Sequence, residues 1–146
     1  MTKIFESSVE KLVIELLEGQ GWQYLAPEGQ ELERASLSEV ILKRRFRDAI
    51  DRINPNVSDE VKVQALRQIL NFPSQNLIDN NEYFHRLFTE GIEVEIMGKE
   101  GIKGDKVWLV DFVNLDNNEF VVCDQFTVNE NNTTKRPDLV LFVNGL

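Results

Sequence analysis

Apolar residues in the first part of the chain are separated by three or four positions. The first set of them comprises Phe5, Val9, Leu12, Val13, Leu16 and Leu17. This spacing predicts an amphipathic helix with one face on a core. Gly19 and Gly21 are expected to end the helix. Trp22 and Tyr24 then predict a short extended stretch, and residues 27–29 predict a loop.

Three further helices are predicted in the segment that follows. Residues 36–39 read Ser-Leu-Ser-Glu, the spacing of a capping box, and predict a helix start. Ser58 precedes two acids and predicts another start, and Pro73 is expected to close that segment. The last helix is predicted over residues 77–89, with Gly91 as its cap. The side chains expected to be buried are Leu42, Phe46, Ala49, Ile50, Ile53, Val61, Ala65, Leu66, Ile69, Leu70, Ile78, Phe84, Leu87 and Phe88.

Strand patterns replace helical ones in the last third of the chain. Residues 92–97 alternate apolar and acidic side chains, which predicts a half-buried strand. Residues 106–115 and 119–128 are rich in Val and Phe and predict two more strands, and residues 129–135 predict a polar loop. Residues 139–143 form a continuous apolar run, which favours a central strand covered on both faces.

The order of these elements predicts the architecture. We expect one domain over residues 1–146, mainly helical in 1–90 and mainly sheet in 91–146, in the α/β (α+β) class. Asn144 and Gly145 are the strongest short signal for a hairpin turn, and only Leu146 follows them. A hairpin turn needs a second strand, so we expect the sheet to continue beyond this segment.

Composition limits the possible functions. The chain has 25 acidic and 16 basic residues, a net charge of −9, so it is not expected to grip DNA tightly by itself. The single cysteine, Cys123, and the single histidine, His85, do not supply a Cys- or His-based zinc site or a Ser-His-Asp triad. We predict a buried thiol at Cys123 and a surface position for His85. The lone cysteine and the lack of a signal peptide or membrane span predict a cytoplasmic protein.

Three acidic residues are candidates for chemistry. Asp138 follows Pro137 at the start of the apolar strand, where a carboxylate can bind Mg²⁺. Such an ion activates water for phosphodiester hydrolysis. The alternative is that Pro-Asp only forms the turn into the strand. Glu6 and Glu10 lie one turn apart on the first helix and could lean over the sheet edge, or could simply belong to a solvated face.

Basic residues are grouped at two places. Residues 43–45 read Lys-Arg-Arg, and with Arg47 they could contact phosphates. They could equally pair with Glu39 and with Asp48 or Asp51 at helical spacing. Lys135 and Arg136 form a smaller positive spot beside Asp138 that could meet a scissile phosphate. The chain has no glycine-rich phosphate-binding motif, so ATP is not expected to bind here.

Two stretches of this sequence resemble the restriction (motor) subunits of type I restriction enzymes. They are Asn-Glu-Phe-Val-Val-Cys-Asp-Gln-Phe-Thr-Val at residues 118–128 and Lys-Arg-Pro-Asp-Leu-Val-Leu-Phe-Val-Asn-Gly-Leu at residues 135–146. Glu10 and the Gly-Trp pair at residues 21–22 are similar to the family's opening acidic helix and its end. Residues 28–90 carry no diagnostic motif.

The resemblance implies a PD-(D/E)xK nuclease fold, a restriction-endonuclease-like mixed central sheet flanked by helices. It makes Asp138 a catalytic Mg²⁺ ligand and Glu10 a helix-borne catalytic acid. The family motif continues into a strand with Glu-x-Lys, so we expect the last strands of the sheet to lie outside this segment. Without them the segment should bind Mg²⁺ weakly and cleave nothing.

The function implied is that of the N-terminal endonuclease region of the subunit, a type I site-specific deoxyribonuclease that cleaves double-stranded DNA. ATP would be used only by the motor domains that follow, and the partners would be the specificity and methyltransferase subunits. Two alternatives remain from the residues alone. One is a non-catalytic interaction or scaffold module of a restriction complex, and the other is a free-standing nuclease of the same fold.

Overall fold

The computed structural model describes residues 2–71 and 76–146, and all of their side chains except those of residues 2–5 and 77. The expected end at Pro73 lies outside the described residues. The helices are α1 Thr2–Gly19, α2 Pro27–Glu33, α3 Lys43–Ile53, α4 Asp59–Leu70 and α5 Leu77–Glu90. The strands are β1 Gln23–Leu25, β2 Ile92–Gly98, β3 Gly101–Val107, β4 Phe120–Asp124, β5 Val128–Glu130, β6 Thr133–Lys135 and β7 Leu139–Val143.

The chain divides into two compact units. Unit 1 comprises residues 1–47 and 119–146, and unit 2 comprises residues 48–118. The prediction of a single nuclease domain over residues 1–146 stays a prediction.

A mixed three-stranded sheet forms the centre of unit 1. Strand β4 lies in the middle, parallel to β1 and antiparallel to β7. This arrangement of helices and a mixed sheet confirms the predicted fold class. The buried cluster of unit 1 consists of Leu42, Val121, Cys123, Phe126 and Phe142, with Leu25, Val128 and Val140 packed against it.

Unit 2 pairs a helix with a hairpin. Helix α4 packs against β2 and β3, which form an antiparallel pair from Ile92–Val107 to Gly98–Gly101. The Ser58 hydroxyl accepts a hydrogen bond from the Val61 backbone N–H, so the predicted cap is confirmed. Gly91 ends α5 with a φ of 79°, also as predicted. The alternation of buried and exposed side chains at the start of β2 is confirmed as well.

Two predictions about loops and helix starts are wrong. Residues 27–29 belong to α2, because Pro27 sits in its first turn, where a missing N–H costs nothing. Residues 36–39 do not start α3, which begins at Lys43. The Arg34 guanidinium binds the carbonyl oxygens of Leu37 and Glu39, and these bonds hold the segment in a turn. Five of the described side chains that are predicted to face a core are exposed instead: Val9, Leu12 and Leu16 of α1, Leu70 of α4 and Ile78 of α5. In α1, Ile14 is buried.

The predicted strand at residues 106–115 is wrong over residues 108–115, which form bends and the start of a 3₁₀ segment, and the other strands differ from their predictions in extent. Strand β3 begins five residues before the predicted 106–115 segment and ends at Val107, and the chain then turns through a 3₁₀ segment, Leu115–Asn117. The predicted 119–128 strand is split into β4 and β5 at Gln125, whose φ is 50°. The predicted loop at 129–135 contains most of the β5–β6 hairpin. Strand β7 was predicted to be covered on both faces, but its Leu141 side chain is exposed.

The Asn144-Gly145 turn is confirmed. Both residues have positive φ, 55° and 83°, the combination of a type I′ turn. Val143 and Leu146 exchange both backbone hydrogen bonds at 3.1 Å across it. The Gly145 carbonyl also accepts a hydrogen bond from the Leu42 N–H, so the turn lies against the start of α3.

Candidate functional site

The two predicted site residues are connected through a third. Asp138 is exposed directly before β7, and Glu10 is half-buried on α1. Gln125 donates a side-chain hydrogen bond to the Glu10 carboxylate at 3.3 Å, and its backbone N–H donates to the Asp138 carbonyl at 3.0 Å. Since β4 and β7 are antiparallel and Asp124 pairs with Leu139, the end of β4 and the start of β7 share one edge of the sheet. The structure therefore brings the Glu10 carboxylate and the Asp138 backbone, but not the Asp138 carboxylate, into contact with Gln125.

Sequence reasoning missed Asp124 and Tyr24, which lie at the same edge. The Tyr24 hydroxyl donates a 2.7 Å hydrogen bond to the Asp124 carboxylate. Burial and that hydrogen bond raise the pKa of Tyr24 to about 12. Asp124 follows four residues of a buried strand, the same signal that singled out Asp138. The partner strand β1 has only three residues, and nothing in its pattern predicted that it would pair with β4.

Gln30 was also missed and fixes the geometry of this edge. Its buried side-chain amide donates hydrogen bonds of 2.9 Å to the carbonyl oxygens of Leu25 and Asp124. These carbonyls end the parallel strands β1 and β4, so Gln30 from α2 closes the gap between them. The pattern at residues 27–29 predicts a loop, so the sequence does not indicate that Gln30 lies on a helix facing this edge.

An open groove of about 570 Å³ runs between α1 and this edge. Its charged lining is mainly acidic, with Glu10, Glu15 and Glu18 from α1 and Asp124 from β4, against Lys11. Negative charge here opposes the approach of a phosphate unless cations neutralise it. Gln125 contributes to the lining as well.

A second groove of about 500 Å³ lies on the other side of Gln125 and is more basic. Arg34 and Arg136 line it, together with Thr127 and one acid, Glu31. The Arg136 Nε donates a 3.2 Å hydrogen bond to the Thr127 hydroxyl, and the Arg136 side chain is exposed. Gln125 therefore separates an acidic groove from a basic one.

The main basic cluster is largely paired with acids, as one of its two interpretations predicted. Lys43 contacts Glu39 at 2.9 Å, the expected spacing of four residues. Arg45 contacts Glu33 at 2.7 Å and Glu119 at 2.9 Å, and these bonds raise its pKa. The sequence could not reveal the Glu33 and Glu119 pairs because both acids are distant along the chain.

The two single residues lie where they were predicted. Cys123 is fully buried in β4, and burial raises the pKa of its thiol to about 12. His85 is exposed on α5.

A complete metal centre is not formed within residues 2–71 and 76–146. No group of three or more His, Cys, Asp or Glu side chains among them is placed to hold a metal ion. Asp138 and Glu10 thus do not by themselves make up the oxygen ligand set that Mg²⁺ requires.

Comparison with known proteins gives the family. The model of the family described as "Type I restriction enzyme R protein N terminus" matches residues 3–146. The chain belongs to this family. The match includes both Glu10 and Asp138 of the candidate site, and so spans the R-protein N-terminal region from α1 to β7.

Two curated proteins are similar over almost the whole chain. One is the putative type I restriction enzyme MjaIXP endonuclease subunit of Methanocaldococcus jannaschii, 34% identical over 94% of this chain. The other is the type I restriction enzyme HindI endonuclease subunit of Haemophilus influenzae, 29% identical over 97% of this chain. The matched region is 14% of the length of each relative. Among the described residues, no helix combines the length and apolarity needed to cross a membrane.

Proposed function

We propose that this R-protein N-terminal region is the DNA-cleaving part of a type I restriction enzyme endonuclease subunit. In the full-length protein it hydrolyses double-stranded DNA in a Mg²⁺-dependent reaction. The observation that carries the proposal is that Gln125 contacts both the Glu10 carboxylate and the backbone of Asp138 at one sheet edge. The names of the two relatives support the restriction-enzyme assignment over a free-standing nuclease.

Each acid has a separate part in the proposal. Asp138, exposed at the mouth of β7, contributes a carboxylate to a Mg²⁺ site whose remaining oxygen ligands come from outside the described set. Glu10, whose carboxylate accepts a hydrogen bond from the Gln125 side-chain amide, is the helix-borne acid of the same proposed site. When bound, the ion would lower the pKa of a water molecule and offset phosphate charge.

The rest of the assembly is part of the same proposal. ATP hydrolysis and translocation belong to motor domains elsewhere in the protein, and specificity and methyltransferase subunits hold the target DNA. This division of labour fits the net charge of −9, because a segment this acidic supplies little of the phosphate affinity. A cytoplasmic location remains our prediction.

A single substitution tests the nuclease role. In the full-length subunit with its partners, Asp138→Asn should abolish plasmid cleavage while DNA-dependent ATP hydrolysis continues. The matched control is Asp116→Asn, which removes an exposed carboxylate from the 3₁₀ segment of unit 2. Cleavage that survives Asp138→Asn would contradict the proposal.

An exposed apolar segment favours a second candidate, the interaction module. In unit 2, Phe112, Val113 and Leu115 are exposed, and Phe112 and Val113 line a shallow groove of about 150 Å³ with Trp108. Exposed apolar clusters commonly mark protein contacts. If this role is the main one, Val113→Ser should impair assembly of the complex, and Asp138→Asn should leave cleavage intact.

A further inference from the structure

The β5–β6 hairpin of unit 1, which we call the polar ribbon, has no core-facing side chain beyond Val128, which packs against the buried cluster of unit 1. It runs from Val128 to Lys135, and every side chain after the half-buried Val128 is exposed. An antiparallel strand pair commonly buries one face and exposes the other, whereas in this ribbon the side chains of both faces are exposed after Val128. Its composition is asparagine, threonine and lysine, with Glu130 as its one acid.

The positive charge of this region lies at the base of the ribbon. Lys135 and Glu130 cancel within residues 128–135, and Arg136 directly after β6 gives residues 128–136 a net charge of +1, whereas the whole chain carries −9. The two cations lie at the base of the ribbon, and Asn131 and Asn132 form its tip. The tip residues have φ values of 49° and 64°, which gives a tight type I′ turn.

The base of the ribbon is firmly held. The Arg34 guanidinium donates hydrogen bonds to the carbonyl oxygens of Thr127, Leu37 and Glu39 at 2.7–2.8 Å, and it stacks at 4.0 Å on the Phe126 ring. The Asn129 N–H also donates to the Leu37 carbonyl at 3.0 Å. Such anchoring limits the entropy that the ribbon would lose on binding a ligand.

The ribbon leads directly into the candidate site. Only Arg136 and Pro137 separate β6 from Asp138. Arg136 lines the basic groove of about 500 Å³ at the ribbon base, where its guanidinium is exposed to a ligand. A molecule that touches both ribbon and groove would therefore reach Asp138.

Duplex DNA fits these features. Its major groove admits a two-stranded β-ribbon, and asparagine, threonine and basic side chains are suited to base edges and phosphates. We propose that the polar ribbon enters the major groove of the substrate duplex beside Asp138, with Lys135 and Arg136 on backbone phosphates. This proposal rests on the proposed nuclease function and names the surface that meets the DNA.

Photo-crosslinking locates the contact. A photo-crosslinking amino acid is incorporated at Asn132, the ribbon tip, in the full-length subunit with its partners and a linear duplex. The control position is Lys99, at the tip of the β2–β3 hairpin, which is equally exposed. The expected result is a DNA adduct from position 132 and none from position 99. Adducts from both positions, an adduct only to protein, or none at all would overturn the proposal.

Charge removal tests the phosphate contacts. The double variant Lys135→Gln/Arg136→Gln should bind DNA with a weaker salt dependence. The magnitude of the slope of log binding constant against log salt concentration should fall by about 2. The control, Lys99→Gln/Lys103→Gln, removes the same charge from the other hairpin and should leave the slope unchanged. Asn131→Gly/Asn132→Gly keeps the positive φ of the turn, and should weaken binding without changing the slope. Equal slopes for ribbon and control variants would overturn the phosphate contacts.

The outcomes separate the two proposals. If Asp138→Asn abolishes cleavage but the ribbon variants bind and cleave like the parent, the ribbon proposal alone is wrong. If Asp138→Asn cleaves normally while position 132 crosslinks to DNA, the nuclease role of Asp138 is wrong and the ribbon remains a DNA contact.

Discussion

The Gln125 side-chain amide donates a hydrogen bond of 3.3 Å to the Glu10 carboxylate, joining residues 115 positions apart in the sequence. The same residue binds the Asp138 carbonyl through its backbone N–H. Gln125 can do both because its φ of 50° ends β4 and turns the chain across the sheet edge. The Gln125 side-chain amide therefore holds Glu10, while the Gln125 backbone holds the segment that carries Asp138.

Gln125→Gly should reduce cleavage by the full-length enzyme by about 10- to 100-fold, the typical loss when a reacting group is displaced by an ångström. Glycine accepts the positive φ, so only the side-chain amide is lost. Cleavage rates at saturating DNA test this prediction, and the unfolding transition of the variant should match that of the parent. A lower unfolding midpoint for the variant, or an unchanged cleavage rate, would count against a positioning role for Gln125.

Arg45→Met should destabilise the chain by about 3–5 kcal/mol, because it removes the buried partner of the Glu33 carboxylate and leaves it only the longer contact with the exposed Arg44. The Arg45 and Glu33 side chains are 10% and 8% exposed, and Arg45 also contacts Glu119. Chemical denaturation of the 146-residue chain measures the loss. Arg44→Met is the matched control: Arg44 contacts the same Glu33 at 3.3 Å but is 70% exposed. Its substitution should cost about 0–1 kcal/mol, and equal losses would show that burial is not the deciding factor.

Gly145→Ala should lower the free energy of unfolding by about 2–4 kcal/mol through steric strain. A Cβ atom at Gly145 would lie 2.6 Å from the Leu42 carbonyl oxygen and 2.8 Å from the Phe46 nitrogen, and the φ of 83° is unfavourable for alanine. Gly19→Ala is the control, because nothing lies within 4 Å of a Cβ there. Thermal unfolding of both variants gives the comparison, and a Gly145→Ala variant as stable as the control would refute the close packing.

Stability should fall as the pH rises from about 9 to about 12. Burial raises the pKa of Cys123 from 9.0 to about 12, and burial with the Asp124 hydrogen bond raises that of Tyr24 from 10.0 to about 12. The folded state therefore binds more protons than the unfolded state in this window, and the stabilisation present below pH 9 is lost as each group ionises.

Denaturation midpoints measured across that range test the linkage. Tyr24→Phe should make the decline shallower above pH 10, because it removes one of the two groups whose pKa is raised by folding. Identical pH profiles for the parent and Tyr24→Phe would exclude a contribution from Tyr24. The Cys123 thiol should also resist alkylation at pH 8 until denaturant is added, because it is buried and protonated.

Local signals in the sequence were sufficient for much of the fold. Helical spacing predicted α1, the Ser58 cap and the Gly91 stop predicted the limits of α4 and α5, and alternation predicted β2. Each of these depends on residues within a few positions of one another. The Ser-Leu-Ser-Glu segment failed as a helix start because the Arg34 side chain bound its carbonyl oxygens, a contact that the helix-start pattern does not include.

The sequence by itself determined the types of α1, α4, α5, β2 and β7, the burial of Cys123, and the Asn144-Gly145 turn, because periodicity, burial preference and left-handed φ act locally. It also singled out Asp138, since Pro-Asp before an apolar run marks the mouth of a strand. Only the tertiary structure decided that β4 is the central strand and that Gln125 contacts both Glu10 and the Asp138 backbone. It also decided that Arg45 forms ion pairs with Glu33 and Glu119. These contacts join residues far apart in the chain, and the packing of the whole sheet fixes them.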